Sequence, residues 1–255
     1  MSEQAKLEKN ITAAILVIGD EILSGRTKDQ NIGFIADYMT NVGIDLKEVR
    51  IVPDIEEEII TAVNALRHRY TYVFTTGGIG PTHDDITADS VAKAMGVSID
   101  VDERAVELLL TRLKREDLNE ARLRMCRIPK GADLITNQIS AAPGFKIGNV
   151  MVMAGVPRIM QAMLANVVET LETGAKMISE TLEAGLPEGA YAKGLEEVDK
   201  QYSDVSIGSY PHFNTSGGGF KNQIVLRSKN LASLKAATAD TQAMLDALQA
   251  ARGNA

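Results

Sequence analysis

Thr75-Thr76-Gly77-Gly78-Ile79-Gly80-Pro81-Thr82-His83-Asp84-Asp85 is the stretch on which the reading of the fold turns. It follows Tyr72-Val73-Phe74, a short apolar run of strand character, and precedes residues 86–95, which have helical spacing. Glycines at positions 77, 78 and 80 let backbone N–H groups come close to a ligand. The positive end of the following helix points at the same place. A strand, a glycine-rich turn and a helix in this order predict a phosphate cradle. The turn is not a P-loop, because the G-K-[ST] ending is absent, and G-x-G-x-x-G does not fit it either. Glycines in a tight turn can also serve the turn alone, so the neighbouring residues have to decide.

Working outward, residues 13–18 form an apolar run that stops at Gly19-Asp20-Glu21, the pattern of a strand buried on both faces. Residues 30–41 place Ile32, Ile35, Ala36 and Met39 at helical spacing, and Gly43 ends that helix. Residues 46–52 read as a second strand running into Pro53-Asp54, and Ile59, Ile60, Val63 and Leu66 mark the next helix. Three such alternations predict an α/β fold: a three-layer αβα arrangement with a mostly parallel sheet, binding ligands at the carboxyl ends of its strands. Residues 103–114 and 119–126 look helical. Residues 145–147 and 150–153 flank Gly148-Asn149 as a hairpin, and Pro157 opens a helix carrying Met160, Met163, Leu164, Val167 and Leu171 on one face. Glu172-Thr173-Gly174 reads as a hinge, which gives a larger domain of residues 1–172 and a smaller α+β domain of residues 173–255. In the smaller domain, residues 176–182, 205–210 and 223–228 are read as strands, and residues 191–202 and a stretch from Leu231 to Leu248 as helices. The Gly217-Gly218-Gly219 loop joins the last two strands.

The balance of 27 basic and 34 acidic residues gives a net charge of −7, which provides no electrostatic reason for nucleic acid or an anionic membrane as partner. Cys126 is the single cysteine, so no intrachain disulfide forms and a reducing cytoplasm is expected. Its apolar surroundings assign it to the core. Residues 1–10 are polar and charged, unlike a secretory signal, and no apolar run approaches the length of a membrane span.

The acids turn the glycine loop into a candidate for chemistry. Asp20 and Glu21 end the first strand, Asp54 ends the second, and Asp84 and Asp85 close the loop. Acids around a phosphate cradle repel phosphate unless a cation stands between them, and Mg²⁺ and its relatives are held this way, by one or two carboxylates plus phosphate oxygens. Asp54, Asp84 and Asp85 are therefore the candidate metal ligands. Structural duties compete with this reading. Asp54 can cap the next helix in a box with Glu57, and Asp84 or Asp85 can cap the helix at Ile86. His83 adjoins the site and can polarise a phosphate, though a loop histidine is commonly only solvated. His68 sits between two arginines, and His212 has no carboxylate near it in sequence. No zinc spacing and no nucleophile elbow is present.

Ile18-Gly19-Asp20-Glu21-Ile22-Leu23-Ser24-Gly25 with Asn31, then Thr76-Gly77-Gly78-Ile79-Gly80-Pro81-Thr82-His83-Asp84-Asp85-Ile86-Thr87, then Ala142-Pro143-Gly144-Phe145 and Gly155-Val156-Pro157, resemble the motifs of molybdopterin-binding domains. The similarity is greatest to the competence/damage-inducible protein A branch and covers roughly residues 13–171. The segments 195–202, 208–211 and 222–226 resemble the region that follows this domain in eukaryotic FAD synthases. The amidase domain and the FAD-synthesising domain found in such relatives are absent from this sequence, so neither activity is carried over. The resemblance implies a metal-dependent pyrophosphatase acting on ADP-ribose or FAD, with Mg²⁺, Mn²⁺ or Co²⁺ and favoured by potassium. In the related molybdopterin adenylyltransferases, the acids of the reaction correspond to Asp54 and Asp85 here. The ligand contacts implied by the motifs are Gly19, Asp20, Glu21, Ser24, Asn31, Thr76, Gly77, Gly78, Gly80, Pro81, Thr82, His83, Thr87, Gly144, Gly155 and Pro157. The family and the apolar helix from Pro157 together imply a homo-oligomer, dimer or trimer. Two further readings stay open: a molybdopterin-binding protein of cofactor synthesis, and a non-catalytic module that binds a nucleotide.

Overall fold

A computed structural model describes residues 10–211 and 222–253. By internal contacts the chain divides into Asn10–Gly174 and a unit that holds Ala175–Ala255. In chain order the first unit runs β1 (Thr12–Ile18), α1 (Asp20–Leu23), α2 (Asn31–Val42), β2 (Asp45–Val52), α3 (Glu56–Arg69), β3 (Tyr72–Thr76) and α4 (Thr87–Met95). It continues with β4 (Ile99–Val101), α5 (Glu103–Leu110), a 3₁₀ turn (Arg115–Asp117), α6 (Glu120–Arg124), β5 (Arg127–Pro129), β6 (Asp133–Ile135), β7 (Gly144–Ile147), β8 (Val150–Met153) and α7 (Pro157–Val168).

Six strands form one sheet in the order β2-β1-β3-β8-β7-β6. The pairs β2/β1, β1/β3 and β3/β8 are parallel, whereas β7 runs antiparallel to both β8 and β6. β7 is thus the one strand of this sheet that runs against the others, and the turn at Gly148-Asn149 joins it to β8. Alternation along the strands sends side chains to two cores. Ala14, Leu16, Ile18, Val73, Val150 and Val152 join Ile59, Val63 and Leu66 of α3 and Val91 of α4 on one face. Ala13, Ile15, Val17, Phe74, Met151 and Met153 join Ile35 and Met39 of α2 and Met160, Met163 and Leu164 of α7 on the other. This is the expected three-layer αβα architecture. Strand β1 is buried at six of its seven positions, which is why its sequence is an unbroken apolar run.

Several local expectations are corrected. Residues 103–114 are helical only through Leu110, and the helix expected over 119–126 is the single turn α6 followed by β5. The stretch after Gly19 contains the one-turn helix α1. Met160, Met163, Leu164 and Val167 are buried within their own unit, whereas Ile159 and Leu171 are only partly buried. Cys126 is fully buried, and burial pushes its thiol up to about 11, which makes it inert at neutral pH.

The second unit contains β9 (Ile178–Glu183), α8 (Glu188–Gln201), β10 (Ser206–Tyr210), β11 (Gln223–Ser228) and α9 (Leu231–Gly253). Its antiparallel sheet has the order β10-β11-β9. Tyr191, Val198, Ile224, Leu226, Leu234 and Leu245 form a separate core. The expected β-α-β-β-α order is present. His212 and the Gly217–Gly219 loop lie outside the described residues. Among those described, no helix is long and apolar enough to cross a membrane.

Candidate functional site

The carboxyl ends of β1, β2, β3 and β8 bring four connections together. The central one is the glycine loop after β3. Gly77 has φ 104°, and a Cβ there would stand 2.1 Å from the Ile18 carbonyl oxygen of the neighbouring strand. Gly78 has φ 66°, and a Cβ there would stand 2.1 Å from Thr87 Oγ1. Both positions thus require glycine for conformation and for space. The loop is sewn to its surroundings: Gly77 N–H donates to Met153 O at 3.2 Å and Thr87 N–H to Gly78 O at 3.0 Å. Thr87 Oγ1 donates to Gly77 O at 3.0 Å. Thr87 is fully buried and serves the loop's shape.

Neither structural duty proposed for the acids is the one observed. The residue flanking α3 is Ile55 and that flanking α4 is Ile86, and neither helix start carries a side-chain cap. Asp54 instead reaches back across the sheet, where Oδ2 accepts the N–H of Asp20 at 3.0 Å. Its Oδ1 lies 3.6 Å from the point where a Cβ of Gly78 would sit. Asp85 folds onto its own loop: Oδ1 accepts Gly80 N–H at 2.6 Å, and Oδ2 accepts Thr82 N–H at 2.8 Å and Thr82 Oγ1–H at 2.6 Å.

Electrostatics sort the acids further. Burial, then the charges of Asp20, Glu21 and Asp84, push the Asp54 carboxyl up, against the opposing hydrogen bond from Asp20. Asp84 is held below the usual carboxylate range by hydrogen bonding from Thr82 and its own N–H, with a smaller contribution from the charge of His83. Asp54, Asp20, Glu21 and Asp84 thus share one electrostatic neighbourhood, whereas Asp85 has its oxygens engaged by the loop. Among the described residues, no group of three or more His, Cys, Asp or Glu is spaced to hold a metal ion by itself.

A cavity of about 530 Å³ opens beside the loop. Gly77, Gly78, Gly80, Pro81 and Asp85 line it, together with the apolar side chains of Met125, Val156, Ile159 and Met163. Glu21, Gly155 and Pro157 also line it. Asn31 donates from Nδ2 to Gly155 O at 2.8 Å and ties α2 to the β8 connection. Gly19 N–H donates to Val52 O at 3.2 Å, and Ser24 terminates α1. Gly144 is packed in the sheet, where a Cβ would meet Val152 O at 2.2 Å, so its place is structural. His83 is exposed on the loop. Sequence reasoning missed Met125, Ile159 and Met163 as cavity walls, because their apolar character marks them equally well as core.

The family described as "Probable molybdopterin binding domain" matches residues 14–173. The chain belongs to that family. Residues 176–252 match the "FAD synthase, middle domain" family. A "Probable FAD synthase" of Caenorhabditis elegans is 31% identical over 96% of this chain and 52% of its own length, so this chain spans about half of that relative. A protein of Archaeoglobus fulgidus is 32% identical over 77% of this chain and 84% of its own. Among solved structures, the protein CinA "with unknown function" from Thermoplasma acidophilum is 32% identical, with TM-score 0.60, covering 64% of this chain and 99% of that one. This chain thus joins a match to the molybdopterin-binding family with a match to the FAD synthase middle-domain family.

Proposed function

We propose that this chain is a metal-dependent pyrophosphohydrolase acting on a dinucleotide such as ADP-ribose or FAD. The observation that carries the reading is the Asp54 carboxylate beside Gly78, with Asp20, Glu21 and Asp84 near enough to push its pKa up. A module that only holds phosphate gains nothing from several carboxylates there, since they repel the ligand. The donor set suits a hard cation shared between one or two carboxylates and phosphate oxygens, and not a cage made by the protein alone. Asp54 and Asp84 would hold such an ion. Asp85 supports the reading differently, by fixing the loop that carries Gly80 and Thr82. A divalent ion supplies charge neutralisation and an activated water when bound. The residues of this chain do the rest. Gly77, Gly78 and Gly80 present backbone to a phosphate, the apolar wall from Met125 to Met163 excludes water, and Asp54 stands ready to accept a proton.

The names of the relatives favour a nucleotide or pterin as ligand, and the apolar cavity of about 530 Å³ accommodates a flat heterocycle of either kind. The second reading, a molybdopterin-binding protein, rests on that same cavity. The test is incubation with a panel of dinucleotides and Mg²⁺, Mn²⁺ or Co²⁺, with and without K⁺, followed by chromatography. AMP released only with metal supports the hydrolase. A fluorescent pterin co-purifying with an inert protein favours the second reading.

A further inference from the structure

The glycine loop separates two chambers. Beyond the apolar cavity lies a second one of about 230 Å³, with Lys28, Gln30, Asn31 and Thr76 among its walls. Glu21, Thr27, Gly77, Gly155 and Pro157 line both. At the boundary a Cβ on Gly155 would lie 3.3 Å from the Cα of Gly77, so the partition between the chambers is bare backbone. The walls differ in character: the larger chamber is lined mainly by apolar groups, and the smaller sets Lys28, Asp29, Gln30, Asn31 and Thr76 beside Val17, Ile18 and Ile22.

Lys28 is the one basic side chain that lines either chamber among the described residues. It is exposed and forms no ion pair with another described residue. The nearby acid Asp29 is engaged elsewhere, its Oδ1 accepting the N–H groups of Asn31 at 3.1 Å and Ile32 at 2.7 Å at the start of α2. Two more groups in this chamber have unused hydrogen-bonding capacity. Asn31 is 5% exposed and Thr76 1% exposed. Asn31 Oδ1 and Thr76 Oγ1 are buried without a hydrogen-bond partner. Buried polar groups are normally satisfied, and open valences at a chamber wall are ones that water or a ligand completes.

We propose that Thr27, Lys28, Asn31 and Thr76 form a second subsite for the polar half of a diphosphate-linked ligand. Lys28 contacts the phosphate farther from the glycine loop. The inference rests on the nucleotide reading of that loop. A mononucleotide with its ring on the apolar wall and its phosphate at Gly77–Gly80 fills the first chamber only. A diphosphate continues across Gly77 and Gly155 into the second. There the acids Glu21 and Asp29 disfavour it, and Lys28 is the cation the chain itself provides to offset them.

The test uses the full chain with Mg²⁺ and two ligands, AMP and the non-hydrolysable α,β-methylene-ADP, so that binding is read without turnover. Calorimetry of Lys28→Gln should show about a tenfold loss of affinity for the diphosphate analogue, the scale of one charge-assisted contact. AMP should change by less than about twofold, and Lys28→Arg should restore most of the diphosphate affinity. Equal weakening of both ligands, or unchanged affinity for both, overturns the subsite while leaving the nucleotide reading in place. If the wild-type protein binds neither ligand, the nucleotide reading of the glycine loop fails and the subsite falls with it.

Discussion

The carboxylate of Asp54 accepts the backbone N–H of Asp20 at 3.0 Å, which links the connection after β2 to the one after β1 across 34 residues of sequence. Oδ1 of the same carboxylate lies beside Gly78, and Asp20, Glu21 and Asp84 are near enough to act on its charge. The bond favours the carboxylate, but burial and the like charges of Asp20, Glu21 and Asp84 outweigh it, so the ionised Asp54 is a burden on the folded state.

That burden predicts a trade-off at Asp54. For an acid whose pKa is raised on folding, the favourable contribution is complete below its unfolded pKa and is lost as pH rises through the folded one. Asp54→Asn keeps an acceptor for the Asp20 N–H and removes the charge. In EDTA at neutral pH the variant should melt at a higher temperature than wild type, and the advantage should vanish as pH falls below the carboxylate range. A lower melting temperature at neutral pH would contradict the electrostatic account.

Asp85→Asn should behave in the opposite sense. The carboxylate accepts three hydrogen bonds from Gly80 and Thr82, and an amide cannot accept at both ends. The global fold should persist with a loss of about 1–2 kcal/mol. Hydrogen exchange at the Gly80 and Thr82 amides should accelerate, and metal-dependent turnover should collapse. Unchanged exchange at those amides would show that Asp85 does not shape the loop.

Two glycines allow a controlled comparison. Gly25 has φ 72° and open space around it, whereas Gly77 combines φ 104° with a carbonyl oxygen 2.1 Å from a built Cβ. Gly25→Ala should cost about 1 kcal/mol, the penalty for a left-handed alanine. Gly77→Ala should cost more than about 3 kcal/mol, because backbone has to move as well as strain. Denaturant titration of both variants measures the difference.

Asn137 holds the loop that brings Ser140 and Ala142 to the cavity wall. It donates to Ala142 O at 2.7 Å, and its Oδ1 accepts from Ile139 N–H at 3.1 Å and Ser140 N–H at 2.8 Å. Ala141 within this loop has φ 61°, the one positive φ outside glycine among the described residues. Asn137→Ala should destabilise the protein by about 1–3 kcal/mol, the cost of stripping partners from buried polar groups. A cost below about 0.5 kcal/mol by denaturant titration would show that the loop is held by other means.

The architecture was legible because the decisive residues carry local signals. The unbroken run in β1, the helical spacing of Ile35 and Met39, and the glycines at 77, 78 and 80 each report their own environment. The roles of Asp54 and Asp85 were not legible in the same way. A capping motif and a long-range acceptor look identical in sequence, and only the parallel pairing of β1 and β2 brings Asp20 N–H to Asp54. The cavity walls were hidden for a related reason. Met125 and Met163 satisfy a core reading and a cavity reading equally, and topology decides between them. Lys28 escaped notice because one lysine in a polar stretch carries no pattern until Asn31 and Thr76 are seen beside it.

The central claim is that the acids beside the glycine loop serve metal-assisted cleavage of a pyrophosphate. The most direct measurement is AMP release from ADP-ribose by wild type and Asp54→Asn, side by side, in Mn²⁺ and in EDTA. The account predicts turnover by wild type in Mn²⁺, none in EDTA, and a loss of at least about 100-fold in the variant, the scale of removing a principal catalytic group. Equal turnover by the two proteins, or turnover unaffected by EDTA, would contradict it.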